Sequence, residues 1–214
     1  MKYLETVINS GILNEIEKKD YISAFEQLKI ISKTYKRGES IFLEGDFIDK
    51  ICIVQSGSVR GEKVYPDGEV HIMAIYDESS IFGLEIATSK TRKGAIDYIS
   101  NEKTQVVFIS MRSIEMNKYA SQIYKALTFM LADENIKMMH KTELLAERGL
   151  RNRIMIYLRI LQSKSGSERI DLRMSREQMA QYLCVNRSAL SNELSKMKAE
   201  GIIDIRGSKV RMLK

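Results

Sequence analysis

Cysteine, proline and long apolar runs are all scarce in this chain, and each scarcity removes a class of protein. Only two cysteines occur, Cys52 and Cys184. They lie far apart in unlike contexts and offer neither a disulfide framework nor a metal-ligand spacing. Each is expected as a small buried apolar residue. No apolar run reaches the length needed to cross a bilayer. The opening MKYLETVINSGILNEIEKKD mixes acids with apolar residues, unlike a signal peptide, so a cytoplasmic protein with no membrane partner is expected. No phosphate-binding glycine loop of the P-loop or dinucleotide type appears. Glu44, Asp46 and Asp49 cluster in sequence, yet without a nearby histidine or nucleophile they read as solvated turn acids. No catalytic residue is assigned, and an enzyme is disfavoured.

What is present is charge, unevenly spread. The 214 residues carry a net charge of +6. Residues 148–214 hold 15 Lys and Arg against 6 Asp and Glu, a balance of +9; residues 1–147 hold 19 against 22, a balance of −3. A basic C-terminal third on a slightly acidic body is the electrostatic footprint of a nucleic-acid-binding module. The apolar fraction, 44%, is enough for one large core or two modest ones.

Residues 4–31 read as helical, with Gly11 as a divider. From Lys33 to about Met111, short β-rich runs alternate with glycine-marked turns. The single proline sits in Pro66-Asp67-Gly68, a turn signal between two strands. Such regular short strands predict an antiparallel barrel or jelly roll. Helix returns near Ser113, with an apolar stripe of Tyr124, Leu127, Leu131, Met138 and Leu145. That stripe suits pairing with a second copy; packing on its own barrel is the alternative. A further helix spans 150–161.

The segment MSREQMAQYLCVNRSALSNELSKMKAEGII, residues 174–203, predicts two helices around a tight turn. Ser175 and Gln178 make a capping box for the first, and Asn186 is an N-cap for the second. Leu190, Leu194 and Met197 form the buried seam of the second helix, and Gly201 ends it. Its opposite face presents Arg187, Ser188, Ser191, Asn192 and Ser195. Ile203 and Ile205, a Gly207-Ser208 turn, then Val210 and Met212 read as a β-hairpin wing lined by Arg206, Lys209 and Arg211. Hydroxyl, amide and guanidinium groups on a short helix suit the DNA major groove.

Taken together, this pattern resembles the Crp–Fnr superfamily of bacterial transcription regulators. The likeness covers nearly the full chain. It is carried by the glycine-spaced runs Tyr35 to Asp46, Ile51 to Val59, Asp67-Gly68-Glu69 and Ile81-Phe82-Gly83, then by the long helix and the winged helix-turn-helix. It implies an α+β architecture: an N-terminal antiparallel β-barrel or jelly roll with flanking helices, a long central dimerisation helix, and a C-terminal winged helix-turn-helix. The expected domains are 1–147, cyclic-nucleotide-binding-like sensor with the central helix, and 148–214, DNA-binding. The resemblance also implies a homodimer on double-stranded DNA, with RNA polymerase a further candidate partner. Arg187 matches an arginine that meets a guanine edge. Ser188 and Asn192 depart from a glutamate and a second arginine, so the family's best-known half-site is not carried over. Ser175, Ser191 and Lys196 are assigned to phosphates, and Lys209 to the wing's phosphate contact.

In cyclic-nucleotide-binding relatives, a glutamate after Phe-Gly holds the ribose, and an arginine and serine hold the phosphate. Here the candidate effector residues are Gly83, Leu84, Glu85, Arg92, Lys93 and Gly94. Leu84 stands at the glutamate's place, and with one residue of gap Lys93 and Gly94 stand at the arginine's and serine's. Lysine lacks the bidentate fork, so an effector other than cyclic AMP is expected, or none. Four cysteines would be needed for the iron–sulfur cluster of oxygen-sensing relatives; His71 and His140 read as ordinary histidines, so neither cluster nor haem nor metal site is expected. A competing reading keeps the sensor but assigns the helical C-terminal domain to a protein partner.

Overall fold

The computed structural model describes residues 2–172 and 174–213, and of Lys164 the backbone alone. Two compact units divide the chain between Asn135 and Ile136, each with its own apolar core.

The N-terminal unit opens with α1 (Leu4–Asn9) and α2 (Tyr21–Glu26), joined through a single 3-10 turn. The helical stretch expected over 4–31 is therefore broken. Gly11 adopts φ +84°, and Ile30 already begins a strand. The strands are β1 (Ile30–Tyr35), β2 (Ser40–Phe42), β3 (Lys50–Ser56), β4 (Val59–Val64), β5 (Val70–Tyr76), β6 (Ile81–Phe82), β7 (Asp97–Ser100) and β8 (Thr104–Ser110). They form two four-stranded sheets in the orders β1-β8-β3-β6 and β2-β7-β4-β5, with the pairings antiparallel. This is the jelly-roll arrangement that regular short strands imply.

Turn chemistry sets the strand ends. At Pro66-Asp67-Gly68, the Asp67 carboxylate accepts from the Glu69 amide at 3.0 Å, and Gly68 takes φ +84°. At the β3–β4 corner, Gly57 is required on two counts: its φ is +82°, and a Cβ there would meet Thr104 Oγ1 at 2.7 Å and the Lys103 carbonyl at 2.8 Å. Phe42 of β2 meets Phe108 of β8, and Tyr98 of β7 meets Phe82 of β6, across the two sheets; Ile51, Ile53, Val54, Val59, Val106, Val107 and Ile109 are buried in the same core.

Two short helices, α3 (Leu84–Ala87) and α4 (Met111–Glu115), precede the long α5 (Ala120–Ala146). Its first turns bury Ile123 and Leu127 in the N-terminal core. Further along, Phe129, Ile136, Met138 and Met139 remain exposed. Glu134 and Asn135 do not break the helix. Near its end, Leu144 is fully buried in the C-terminal core. That is why the compact units part within α5 rather than at the functional boundary expected at 147/148.

The C-terminal unit continues with α6 (Leu150–Ser165), β9 (Arg169–Asp171), α7 (Arg176–Tyr182), α8 (Arg187–Ala199), β10 (Ile203–Arg206) and β11 (Lys209–Met212). The wing is a three-stranded antiparallel sheet, β10-β11-β9. Helix α6 ends at Ser165, beyond the span 150–161 expected from the sequence, and β9 was not foreseen. The core joins Leu144, Ile154, Leu158, Ile170, Leu183, Leu190, Leu194, Met197 and Val210.

Candidate nucleic-acid interface

Helix α7 begins as its sequence demands. The Ser175 hydroxyl accepts from the Gln178 amide at 3.2 Å, and the Ser175 amide donates to Gln178 Oε1 at 2.9 Å, closing the capping box. The turn that follows passes through Cys184 in the left-handed region, φ +52°. This cysteine is half-buried, so the expectation of a buried apolar residue holds for Cys52 and only in part for Cys184. Helix α8 starts at Asn186, whose side chain accepts from the Ser188 amide at 3.1 Å. Gly201, φ +66°, follows its end.

The seam Leu190, Leu194 and Met197 is buried. By helical spacing, Arg187, Ser188, Asn192, Ser195 and Lys196 are turned outward, and all five are exposed. Ser191 is half-buried, and its carbonyl accepts from the Ser195 hydroxyl at 2.9 Å. The Ser188 hydroxyl donates to Asn186 Oδ1 at 2.7 Å, so its remaining capacity toward a ligand is as an acceptor. Ser175 has the reverse bias: its oxygen is occupied by the Gln178 amide and its proton can be donated to a phosphate.

Arg176, which the sequence did not single out, ties this start of α7 to the wing. Its Nη2 donates to the Gly207 carbonyl at 3.3 Å, and partial burial lowers its guanidinium pKa. On the wing, Lys209 is exposed, Arg211 pairs with Glu168 at 2.8 Å and Arg206 with Asp204 at 3.5 Å. Behind the outward face, Arg151 of α6 grips α8 through Glu193 and, in a bidentate pair at 2.6 and 2.9 Å, through Glu200. These carboxylates raise its pKa further. The acids of α8 are thus engaged on the side facing α6, and the outward face stays cationic and polar.

A second charged group braces the helix pair. Lys141 of α5 is 6% exposed, and its Nζ lies 4.2 Å from the ring centroid of Tyr182. Burial pushes its ammonium down to about 8, and the Cys184 thiolate form opposes this slightly. A lysine whose folded pKa lies below its unfolded value binds fewer protons when folded, so stability rises with pH between the two. The C-terminal unit is expected to gain about 2 kcal/mol between pH 8 and pH 10, measured by urea denaturation. Lys141→Met should flatten that slope.

In the N-terminal unit, the six candidate effector residues are held in different ways. Leu84 is 3% exposed and belongs to the core. Glu85 accepts a hydrogen bond from the Tyr98 hydroxyl at 2.6 Å; burial foremost raises the Tyr98 pKa far above its usual value. Gly83 holds φ +73° as the N-cap of α3. A Cβ on Gly94 would lie 3.0 Å from the Leu43 carbonyl, and the Gly94 amide donates to the Asp46 carbonyl at 2.8 Å. Lys93 is exposed beside Phe47, and Arg92 faces Glu115 at 3.9 Å. His71 lies against Glu69 and Tyr65; His140 lies near Glu143 on the exposed side of α5.

Two families match the chain in order. The Cyclic nucleotide-binding domain matches residues 32–116, and the Crp-like helix-turn-helix domain matches residues 152–214. A global nitrogen regulator of Synechocystis sp. is 25% identical over 86% of this chain and 85% of its own length. Among solved structures, FixK2 from Bradyrhizobium japonicum superposes with a TM-score of 0.74 at 22% identity, covering 87% of this chain and 94% of that one. A CooA variant from Carboxydothermus hydrogenoformans superposes with a TM-score of 0.76 at 17% identity, covering 95% and 90%. With a matched sensor-type barrel followed by a matched helix-turn-helix, together spanning more than half its length, the chain belongs to the Crp–Fnr superfamily of transcription regulators.

Proposed function

We propose that this regulator is a cytoplasmic homodimer that lays α8 of each subunit in the major groove of double-stranded DNA. The observation that carries the reading is the two-sided build of α8. Leu190, Leu194 and Met197 anchor one side, while Arg187, Ser188, Asn192 and Lys196 stand exposed on the other. Arg187 is assigned to a guanine edge and Asn192 to an adenine edge. Ser175, Lys196 and Lys209, joined by Arg176, are assigned to phosphates, and half-buried Ser191 is a weaker member of that set. The exposed apolar residues Phe129, Ile136, Met138 and Met139 along α5 support self-association, because several large apolar side chains left in water on one helix favour a partner. Two-fold pairing would set half-sites one helical turn apart, about 34–36 Å. RNA polymerase is a further partner in this reading.

The sensor half is assigned an effector other than cyclic AMP. Leu84 buried in the core and Gly94 pressed against the Leu43 carbonyl leave neither a ribose carboxylate nor a phosphate hydroxyl at the expected places. Fluorescence anisotropy with the protein's own upstream region and a random duplex, at matched salt, tests both statements. A preference of at least about 10³-fold for the upstream site is expected, with cyclic AMP changing it less than twofold. Equal binding to both duplexes would overturn the reading of α8, and a tenfold gain with cyclic AMP would overturn the reading of the sensor.

A further inference from the structure

One carboxylate stands where DNA would approach. Glu177 is the second residue of α7, and its Oε2 lies 3.5 Å from Nη1 of Arg187 in the first turn of α8. The two side chains are 53% and 65% exposed. Around them lie Ser175, Arg176 and Ser188, none of them acidic. A carboxylate here repels phosphate, so it lowers sequence-independent affinity. Compensation of the α7 dipole explains an acid in this turn, but not its contact with the guanidinium assigned to base reading.

The geometry of that contact is specific. Arginine offers its donors along edges. Engagement through Nη1 leaves the Nε–Nη2 edge open, with two parallel N–H groups that match O6 and N7 of guanine. In the free protein an exposed pair of this kind is weak. When a duplex covers it and water leaves, the same pair strengthens.

Resting on the reading that α8 enters the major groove, we propose that Glu177 is a specificity-determining positioning residue. It holds Arg187 by Nη1 so that the Nε–Nη2 edge faces a guanine, and it keeps phosphates from capturing that guanidinium. Glu177→Ala removes both effects; Glu177→Gln keeps an acceptor and removes the charge.

The test is selection from a random-sequence duplex library by the full-length wild type, Glu177→Ala, Glu177→Gln and Glu168→Gln, followed by sequencing. Glu168→Gln is a control for net charge, since Glu168 pairs with Arg211 on the wing. Glu177→Ala is expected to lose roughly threefold or more in preference at one guanine per half-site, within the coupling range of residues in contact, with the other positions unchanged. Glu177→Gln should retain part of that preference. Both should bind random duplex several-fold more tightly, and the control should leave the selected sequence unaltered. Unchanged preference in Glu177→Ala, or equal relaxation at every position, would overturn the proposal. A wild type that enriches no sequence would overturn the reading of α8 and the proposal with it.

Discussion

Arg187→Ala is expected to weaken binding to the selected DNA site by about 1–3 kcal/mol, a factor of roughly 5–150. The size follows from a bidentate guanidinium–guanine pair formed away from water, where an unmatched base edge is costly. Arg187 is exposed and outside the apolar seam, so the substitution should leave the fold intact. Helix α8 keeps its Asn186 cap in the variant. Arg187→Lys should recover little, because an ammonium cannot match two acceptors at fixed spacing. The loss should fall on guanine at one position, and binding to random duplex should decline far less. Anisotropy titrations with the selected site and its single-base variants measure both. A uniform decline across all sequences would instead make Arg187 a phosphate contact.

Leu190→Ala is expected to have the larger effect on stability. Leu190 is fully buried beside Leu194 and Met197 in the C-terminal core. Truncating a buried leucine loses transfer free energy and leaves a cavity, costing about 2–5 kcal/mol. For a unit of residues 136–214, this is a large share of a total stability of about 5–15 kcal/mol. The thermal transition of that unit should fall by on the order of 10 °C or more, and DNA binding should be lost once it melts. The barrel core contains none of these residues, so its transition should remain. Urea and thermal denaturation followed by circular dichroism would separate the two. A change below about 1 kcal/mol would mean that α8 is not seated on this seam.

The C-terminal helices were legible because their signals are local. A serine three residues before a glutamine, an asparagine before the next helix and a glycine after it each satisfy backbone groups within a few residues, and all three appear in the structure. The β10–β11 hairpin was equally plain, since alternating isoleucines and a Gly-Ser turn are short-range features. Strand β9 was missed: three residues with one buried member, Ile170, carry too little alternation, and the strand exists by pairing with β11. The N-terminal stretch misled because its apolar residues pack onto a barrel through two short helices and a strand. Periodicity alone could not locate those breaks, though Gly11 marked one. Along α5, the apolar stripe divides: Leu127 packs inward on its own unit, while Met138 is exposed.

The candidate DNA face was legible as a set of residues, but not as a set of contacts. Arg176 reaching the Gly207 carbonyl, Glu177 touching Arg187 and Arg151 gripping Glu193 and Glu200 join residues ten to nearly fifty positions apart. No local pattern encodes such pairs. On the sensor side, the departures at Leu84, Lys93 and Gly94 were visible in sequence. The Tyr98–Glu85 hydrogen bond depends on strand β7 lying across from α3.

Methylation interference at guanine N7 probes the face assigned to α8 most directly, because N7 lies in the major groove. The expected result is that methylation of one guanine in each half-site abolishes wild-type binding, the half-site centres lying about 10–10.5 base pairs apart, and that Arg187→Ala no longer senses the mark. Binding that tolerates methylation of every guanine, or blocks only at minor-groove adenine N3, would contradict major-groove reading by this helix.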